Sequence, residues 1–594
     1  MDFDALLAAI DALRARALAA RADHAPALAA VAPSLLPSAR NLVAYLALRA
    51  EDLRPLQQAL AAHGLSSLGR IEGHVLDALD QVRARIDDAR VRRGALAAAP
   101  AIATLTPSRD EAAHLLETHT RALLGPRPAH RDVCVMVTAP AAAQVDAAWA
   151  DRALGAGTDI LRVNGAHEDP AAWGRIVETV RAAAARAGRT CRVVVDLPGP
   201  KLRTVARHEG PRVVRWRPAK DHLGQVQVPC RVALYPRMHA APAGPALAIP
   251  TALWPLRRGD ELRVRDARGR KRRLRVLDAQ VAIVDRTVYL TPDCSVAAHR
   301  DGERLGRWTA EVPAQPFALR IEPGDRFRLL RAGARPVDDR AIGCSLDLAV
   351  AALRPGQRVI FDDGMLETVV EAIDGDGASL VALRLAGASF ALRAEKGINL
   401  PDTVLDVPAL GPDDERALAF AVAHADVVEA SFVRSPDDVR ALHARLAELG
   451  GDALGIVLKI ETGEAFAQLP ALLLAAMARP PVGVMIARGD LAVEIGFERL
   501  AEVQEEILWL CEAAHVPVIW ATQVLETLAR TGQPSRAEVT DAAMAGRAEC
   551  VMLNKGPFVA DAVAVLDDIL RRMAAHQHKK RSLFRRLSVA HAPH

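Results

Sequence analysis

Short apolar runs alternate with helical patterns along most of the chain after residue 130. Eight such runs can be counted, at residues 133–137, 160–163, 192–196, 427–430, 455–460, 482–486, 516–520 and 550–553. Runs of this length are typical of strands buried on both faces. Because strands that alternate with helices form parallel sheets, the pattern predicts an α/β fold, a (β/α)8 TIM barrel.

The third unit of this barrel is interrupted by a long insertion. Residues 205–393 are rich in short β-type alternations and in turn residues, which predicts an inserted β-rich domain. Within it, segments 258–264 and 323–329 resemble each other, as if one hairpin element occurred twice. We interpret the basic turn at 268–273 as a solvated hairpin tip, with anion binding as the less favoured alternative.

The first 130 residues predict an all-α extension. Leu68, Ile71, Val75 and Leu79 recur at spacings of three and four, which gives a helix one apolar face. Since no group of candidate catalytic residues occurs there, we expect a module for dimerisation or docking, with ligand binding less favoured. The predicted domains are 1–130 (helical), 131–204 (first part of the barrel), 205–393 (insertion), 394–576 (second part of the barrel) and 577–594 (basic tail).

Composition narrows the classes of partner. The chain of 594 residues has a net charge of only +4, which argues against nucleic acid as the main ligand. Seven cysteines without a Cys-x-x-Cys pair suit a reducing compartment, and acidic residues near the N-terminus exclude a secretory signal. Since no uncharged apolar run is long enough to span a bilayer, we expect a cytoplasmic protein with no membrane partner.

Charged side chains end two neighbouring predicted strands. Lys459 and Glu461 follow one apolar run, and Asp490 follows the next. The carboxyl ends of parallel barrel strands meet at one mouth, where catalysis takes place. Two carboxylates there can hold Mg²⁺, and the lysine beside them can neutralise a phosphoryl group.

Segments of the chain resemble motifs of the pyruvate kinase family, in the same order. Residues 457–461 and 486–491 resemble the family's SKIE and ARGDL. Other segments resemble RxNxSH (162–167), DTKGPEIRT (196–204), VDDG (361–364), KGVNLP (396–401), ASFIR (430–434), ATQ (521–523) and TRAE (535–538). The resemblance covers about residues 131–210 and 356–575 and leaves the helical extension and the centre of the insertion unexplained.

The resemblance implies a reaction. It would be the transfer of a phosphoryl group from phosphoenolpyruvate to ADP, which gives pyruvate and ATP in glycolysis, carried out by a homo-oligomer. By resemblance, Glu461 and Asp490 would bind Mg²⁺ or Mn²⁺, and the catalytic residues would be Lys459, Thr522 and Arg162. Substrate binding would use Gly489, Asp490, Thr522 and Arg131, the last because it precedes Pro140 at the spacing of a family arginine.

Further positions would contact the nucleotide or a monovalent cation. Asn164, His167 and Arg203 match positions that line the nucleotide phosphates. The family's K⁺ site would correspond to Asn164 and Asp196, but Ala166 replaces a serine and Lys201 replaces a glutamate. Because an ammonium can stand in for the cation, K⁺ is expected not to be required. We also expect no counterpart of the family's C-terminal regulatory domain.

Two alternatives remain open. The chain could be another metal-dependent barrel enzyme that handles phosphoenolpyruvate or pyruvate, although such an enzyme would not need the nucleotide residues. It could also be a catalytically weakened scaffold, against which the complete set of Lys459, Glu461, Asp490 and Thr522 argues.

Overall fold

The computed structural model describes residues 1–92, 107–336, 338–405, 407–574, 576–578 and 581–582. Most of the predicted basic tail lies outside these residues. The chain forms two compact units, one of Met1–Lys201 with Asn399–His594 and one of Leu202–Ile398. No helix among the described residues is both long and apolar enough to cross a membrane.

Eight parallel strands close a barrel in the first unit, which confirms the predicted fold class. In barrel order they are Cys134–Thr138, Ile160–Asn164, Arg192–Asp196, Val427–Ala430, Gly455–Ile460, Val482–Ala487, Val518–Ala521 and Cys550–Leu553. The first and eighth strands pair in register, Cys134 opposite Cys550, so the sheet has no free edge. Nearly every strand residue is buried, as expected for strands covered on both faces.

Helices surround the barrel and connect its strands. They are Ala147–Gly155, Pro170–Arg186, Pro412–His424, Pro436–Glu448, Gly463–Ala467, Leu469–Ala476, Arg488–Ile495, Leu500–Ala513, Glu526–Thr531, Arg536–Ala545 and Val559–Ala574, with 3-10 turns at Ala142–Gln144 and Phe497–Arg499. Several begin at a side-chain cap: Asp146, Asp169 and Ser435 each accept a hydrogen bond from a backbone N–H of the first turn. These caps satisfy N–H groups that have no partner within the helix.

The N-terminal extension is helical, as predicted. Its helices are Phe3–Asp23, Ala25–Ala29, Leu36–Arg49, Arg54–Ala62, Val75–Arg92 and Arg109–Leu124, with 3-10 turns at Pro33–Leu35 and Glu72–His74. Buried polar contacts join it to the barrel. His515 lies with Nδ1 2.9 Å from Ser38 Oγ and Nε2 2.8 Å from the carbonyl of Gly73. Asn41 donates a hydrogen bond of 2.8 Å to the carbonyl of Ala513.

The second unit is β-rich and contains two seven-stranded sheets. The first has the order Glu303–Thr309, Ser295–Arg300, Glu261–Arg265, Lys271–Asp278, Val281–Val284, Cys230–Pro236, Ala246–Ile249. The second has the order Ile398–Asn399, Arg358–Phe361, Leu366–Ile373, Gly377–Leu385, Arg326–Leu330, Ala341–Cys344, Thr204–Val205. The remaining elements are three two-stranded ribbons, Val214–Trp216 with Val288–Leu290, Ala318–Ile321 with Phe390–Arg393 and Ala219–Lys220 with Val226–Val228, together with the 3-10 turn Thr251–Leu253 and the helix Asp347–Ala352.

The two similar segments of the insertion build the same turn in different sheets. In each, a glycine with positive φ, Gly259 or Gly324, precedes an aspartate. The carboxylates of Asp260 and Asp325 each accept a hydrogen bond from the backbone N–H three residues earlier. The likeness in sequence therefore reflects one turn type that leads into a strand.

The last turn of the helix Arg109–Leu124 closes the amino end of the barrel. Leu123 is fully buried in a cluster with barrel-interior side chains such as Met136 and Met485. It fits there because Gly455 and Gly483, at the start of the fifth and sixth strands, have no side chain. A Cβ added at Gly455 would lie 2.7 Å from Leu123 Cδ1, and one at Gly483 would meet Leu123 Cδ2 still more closely.

We expect Gly483→Ala to destabilise the protein by about 1–3 kcal/mol, because overpacking displaces Leu123. The measurement is urea-induced unfolding of the full chain. Gly174→Ala is the matched control, since Gly174 lies in a helix with open space around the added methyl group and alanine favours helix. Equal stability of Gly483→Ala and wild type would contradict the close approach of Leu123.

Candidate active site

The carboxyl ends of the barrel strands carry a group of charged side chains. Arg162, Asp196, Glu429, Lys459 and Glu461 all lie within or directly after strands two to five, and each is less than a tenth exposed. Asp490 lies in the first turn of the helix Arg488–Ile495, which follows the sixth strand directly. Charges taken out of water in this way must be compensated by neighbours.

Lys459 lies between two carboxylates. Its Nζ is 3.0 Å from Asp196 Oδ1 and 3.0 Å from Glu461 Oε1, and it donates a hydrogen bond of 2.6 Å to Ser431 Oγ. Burial acts against the charged ammonium, but the charges of Asp196 and Glu461 outweigh it and raise the pKa of Lys459 above its ordinary value. Lys459 is therefore a permanent positive charge at the mouth of the barrel.

Arg162 shares the same network. Its Nη2 is 2.5 Å from Asp196 Oδ2, its Nε is 2.8 Å from Glu429 Oε2, and its Nη1 donates to Thr138 Oγ1 at 3.1 Å. The guanidinium thus joins strands one, two, three and four. Four buried charges alternate in sign from Glu429 through Arg162 and Asp196 to Lys459.

Glu461 and Asp490 are the two carboxylates predicted to bind a metal ion. Burial raises the pKa of Glu461; the charge of Lys459 opposes this shift, and the charge of Asp490 acts in the same direction as burial. Glu461 Oε2 also accepts a hydrogen bond of 2.6 Å from the N–H of Phe432. Among the residues that the structure describes, no cluster of three or more His, Cys, Asp or Glu could hold a metal.

A pair of hard oxygen donors nevertheless fits Mg²⁺. This ion is usually held by one or two carboxylates and completes its octahedron with water and substrate oxygens. The Nζ of Lys201 lies 2.9 Å and 3.0 Å from the two carboxylate oxygens of Asp490 and balances part of the negative charge.

Thr522 directly follows the seventh strand in an unusual backbone conformation. Its φ is +64°, and Gln523 and Leu525 also have positive φ. Its Oγ1 accepts a hydrogen bond of 2.9 Å from the N–H of Gly489. Arg488 donates to the carbonyls of Ala521 and Thr522 and holds this loop in place. Backbone strain of this kind is often retained where a side chain must be positioned for function.

Comparison with known proteins identifies the barrel. The family model for the pyruvate kinase barrel domain matches residues 295–561. "Pyruvate kinase" of Clostridium acetobutylicum is 34% identical over 233 residues, which are 39% of this chain and 47% of that protein. "Pyruvate kinase PKLR" of Homo sapiens is 37% identical over 242 residues, 40% of each chain. "Pyruvate kinase 2" of Synechocystis is 32% identical over 265 residues, 43% of each chain.

These similarities support membership of the pyruvate kinase family. The chain spans less than half the length of the curated relatives it matches.

The prediction that Arg131 binds substrate does not agree with the position of this residue in the structure. Arg131 lies before the first strand, at the amino end of the barrel, whereas the charged mouth is at the carboxyl end. Its side chain is fully buried, 2.8 Å from Asp159 and 2.6 Å from Asp567. Because the first strand lies between Arg131 and Pro140, the two residues are at opposite ends of the barrel. Arg131 therefore stabilises the closed amino end through its salt bridges.

The residues predicted for the monovalent-cation site have different partners in the structure. The ammonium of Lys201 contacts Asp490 and lies over the ring of Phe432, 5.6 Å from its centroid, instead of joining Asn164 and Asp196. Asp196 forms salt bridges with Arg162 and Lys459. Asn164 Oδ1 accepts a hydrogen bond of 2.9 Å from the N–H of Ala166. Lys201 therefore compensates Asp490, one of the two carboxylates predicted to bind a metal ion.

The predicted nucleotide residues occupy different parts of the molecule. Asn164 ends the second strand, and His167 lies exposed three residues further on. Arg203 belongs to the second compact unit, where its N–H donates to Ser345 Oγ at 2.9 Å and its Nη1 donates to the carbonyl of Glu395 at 3.1 Å. Their proposed contact with nucleotide phosphates stays a prediction.

Sequence reasoning missed two polar residues of the site. Asn399 is buried, and its Nδ2 donates a hydrogen bond of 3.2 Å to Glu494 Oε1. The same nitrogen lies 3.5 Å from Asp490 Oδ1. Glu429 is completely buried, and its Oε1 has no hydrogen-bond partner among the described residues. The sequence indicated Glu429 only by placing a carboxylate inside the apolar run Val427–Ala430.

We expect Glu429 to make stability depend on pH. Burial raises its pKa to about 7, with the charge of Asp196 acting in the same direction and Arg162 opposing it. The folded state favours the protonated carboxyl of Glu429. The stabilisation that results is complete below the pKa of this group in the unfolded chain, and it is lost as the pH rises through about 7. The midpoint of thermal unfolding of wild type should therefore fall, relative to that of Glu429→Gln, between about pH 5 and pH 8.

The control for this measurement is Glu303→Gln, because Glu303 is exposed on a strand edge. Its unfolding midpoint should follow that of wild type at every pH. Parallel curves for wild type and Glu429→Gln would show that Glu429 does not titrate in this range.

Proposed function

We propose that the chain is a pyruvate kinase that transfers the phosphoryl group of phosphoenolpyruvate to ADP and forms pyruvate and ATP. The observation that carries the proposal is Lys459, held at 3.0 Å from both Asp196 and Glu461 at the barrel mouth. A fixed positive charge beside Glu461, which is one of the two proposed metal ligands, suits phosphoryl transfer, which depends on positioning and on neutralising charge. The proposal includes a cytoplasmic location and a homo-oligomeric state.

Each charged residue at the mouth of the barrel has its own role in the proposed reaction. Glu461 and Asp490 would hold Mg²⁺, which supplies positive charge to the phosphate and carboxylate oxygens of the substrate. Lys459 neutralises the charge that develops as the bond from phosphorus to the enol oxygen breaks and the bond to ADP forms. Arg162 offers a guanidinium for a phosphate, and its buried partners fix its position.

Formation of pyruvate also requires a proton at the methylene carbon. The hydroxyl of Thr522 would deliver that proton through water, and the N–H of Gly489 fixes the orientation of the hydroxyl. Asn164 and His167 would line the nucleotide phosphates in this proposal. Arg203 is proposed for the same role from its match to the family motif at 196–204.

The test is pyruvate formation that depends on ADP and Mg²⁺ in the purified full chain. Lys459→Met should slow turnover on the order of 10³-fold or more while substrate binding remains measurable. Glu461→Gln should lose most activity, because an amide is a poorer ligand for Mg²⁺ than a carboxylate. Lys220→Met is the matched control, since Lys220 is exposed in the second unit.

Each alternative function has its own outcome in this assay. Pyruvate formation without ADP would indicate another enzyme that uses the same site. Folded protein without activity would indicate a weakened scaffold. Near-normal turnover of Lys459→Met would contradict the role of Lys459.

We expect wild-type activity to be independent of K⁺, because Lys201 supplies a positive charge beside Asp490. Initial rates should be equal with K⁺ or with a bulky organic cation as the sole monovalent ion, from none to about 0.1 M at constant ionic strength. Lys201→Glu should lower activity, because it places a third carboxylate beside Glu461 and Asp490. A strong rise of the wild-type rate with K⁺ would contradict the proposal for Lys201.

A further inference from the structure

Positive charge is concentrated in one part of the inserted domain. Residues 230–309, which span the first seven-stranded sheet, contain 16 Lys and Arg but 8 Asp and Glu. The whole chain contains 76 Lys and Arg against 72 Asp and Glu. The excess of eight positive charges in this segment therefore exceeds the net charge of the entire protein, and the rest of the chain is net negative.

One face of this sheet carries much of that charge. The two central strands, Glu261–Arg265 and Lys271–Asp278, direct Leu262, Val264 and Leu274 into the core. The alternate residues are exposed. We define the basic face by six exposed cationic residues of these two strands and of the strand Glu303–Thr309: Arg263, Arg265, Lys271, Arg273, Arg275 and Arg307.

The strand register places these cations side by side. Arg263 lies directly opposite Arg273, and Arg265 lies directly opposite Lys271. On the other side of Arg263, Ala297 separates it from Arg307. The side chains of Arg263 and Arg273 remain 45% and 74% exposed, so the charges are available to a ligand.

These cations have little compensation within the protein. Two carboxylates lie on the outward side of the two central strands: Glu261, which contacts both Arg263 and Arg273, and the exposed Asp278, which a bulge brings opposite Val281. For Arg265, Lys271 and Arg275, no carboxylate lies within 4 Å among the described residues. Like charges directly opposite each other destabilise a sheet, so this arrangement has a cost that a bound anion would remove.

The geometry favours an extended polyanion. Alternate residues of one strand are about 6.6 Å apart, and neighbouring strands are about 4.8 Å apart, so the cations form a flat array. The outward positions of the two central strands carry no exposed large apolar or aromatic side chain, and the strand Glu303–Thr309 carries one, Leu305, which is 38% exposed. A protein partner needs such anchors, and a membrane surface is usually held by apolar insertion as well as charge. A chain of phosphates needs only the cations.

We propose that the basic face binds single-stranded nucleic acid through its phosphates, with little sequence preference. The guanidinium groups bind phosphate oxygens in pairs, so the affinity would come from the backbone phosphates and not from base stacking, for which the face has few aromatic residues. The small net charge of the chain had argued against this partner, but an average over 594 residues conceals a local excess. The inference does not depend on the proposed enzymatic activity.

The test is fluorescence anisotropy of a labelled oligodeoxythymidylate of about 20 nucleotides, titrated with the full chain at several salt concentrations. The variant Arg263→Gln/Lys271→Gln/Arg273→Gln should bind at least tenfold more weakly. For single strands each phosphate contact contributes about 0.7 to the slope of log affinity against log salt, so the slope should fall by about 2. Its thermal unfolding midpoint should not fall, because like-charge pairs are removed.

The matched control is Arg320→Gln/Arg335→Gln/Arg354→Gln, which removes three exposed cations from elsewhere in the same domain. It should bind like wild type. Absence of oligonucleotide binding by wild type, or equal weakening in both triple variants, would overturn the proposal. So would binding to phosphatidylserine-containing vesicles without binding to the oligonucleotide, which would assign the face to a membrane surface.

Discussion

The buried ammonium of Lys459 between Asp196 and Glu461 is the interaction on which the mouth of the barrel depends. An ion taken out of water costs several kcal/mol, which must be offset by close partners of opposite charge. Here the compensation continues through Arg162 to Glu429 on one side, while Lys201 neutralises Asp490 on the other. Because most of these groups come from different strands, strands two to five must pair before the network is complete.

The two ends of the barrel serve different purposes. At the amino end, Leu123 enters between two glycines, and Arg131 pairs with Asp159 and Asp567. The helical extension adds buried hydrogen bonds from Ser38 and Asn41. These contacts stabilise the amino end. The carboxyl end carries positive φ at Thr522 and, among the described residues, a Glu429 carboxylate oxygen without a hydrogen-bond partner.

Charged side chains are arranged differently in the inserted domain and in the barrel. In the barrel, buried charges alternate in sign, whereas on the basic face exposed cations lie next to one another. Exposure to water makes this tolerable, because repulsion between solvated charges is weak and screened by salt. An aliphatic core beneath the sheet, with Leu262 and Leu274 fully buried, supplies the stability that the surface charges reduce.

The sequence by itself determined the barrel, since its eight buried runs and the helices between them allow few other folds. It also placed Lys459 and Glu461 on one side of a strand, because alternate strand residues share a face. Only the tertiary structure showed that Arg131 lies at the amino end and that Lys201 reaches Asp490. Spacing along the chain does not specify which barrel end a residue occupies or which carboxylate a flexible side chain contacts. Glu429 was missed for the same reason: its partner Arg162 is 267 residues away in sequence, and the two meet only in the closed barrel.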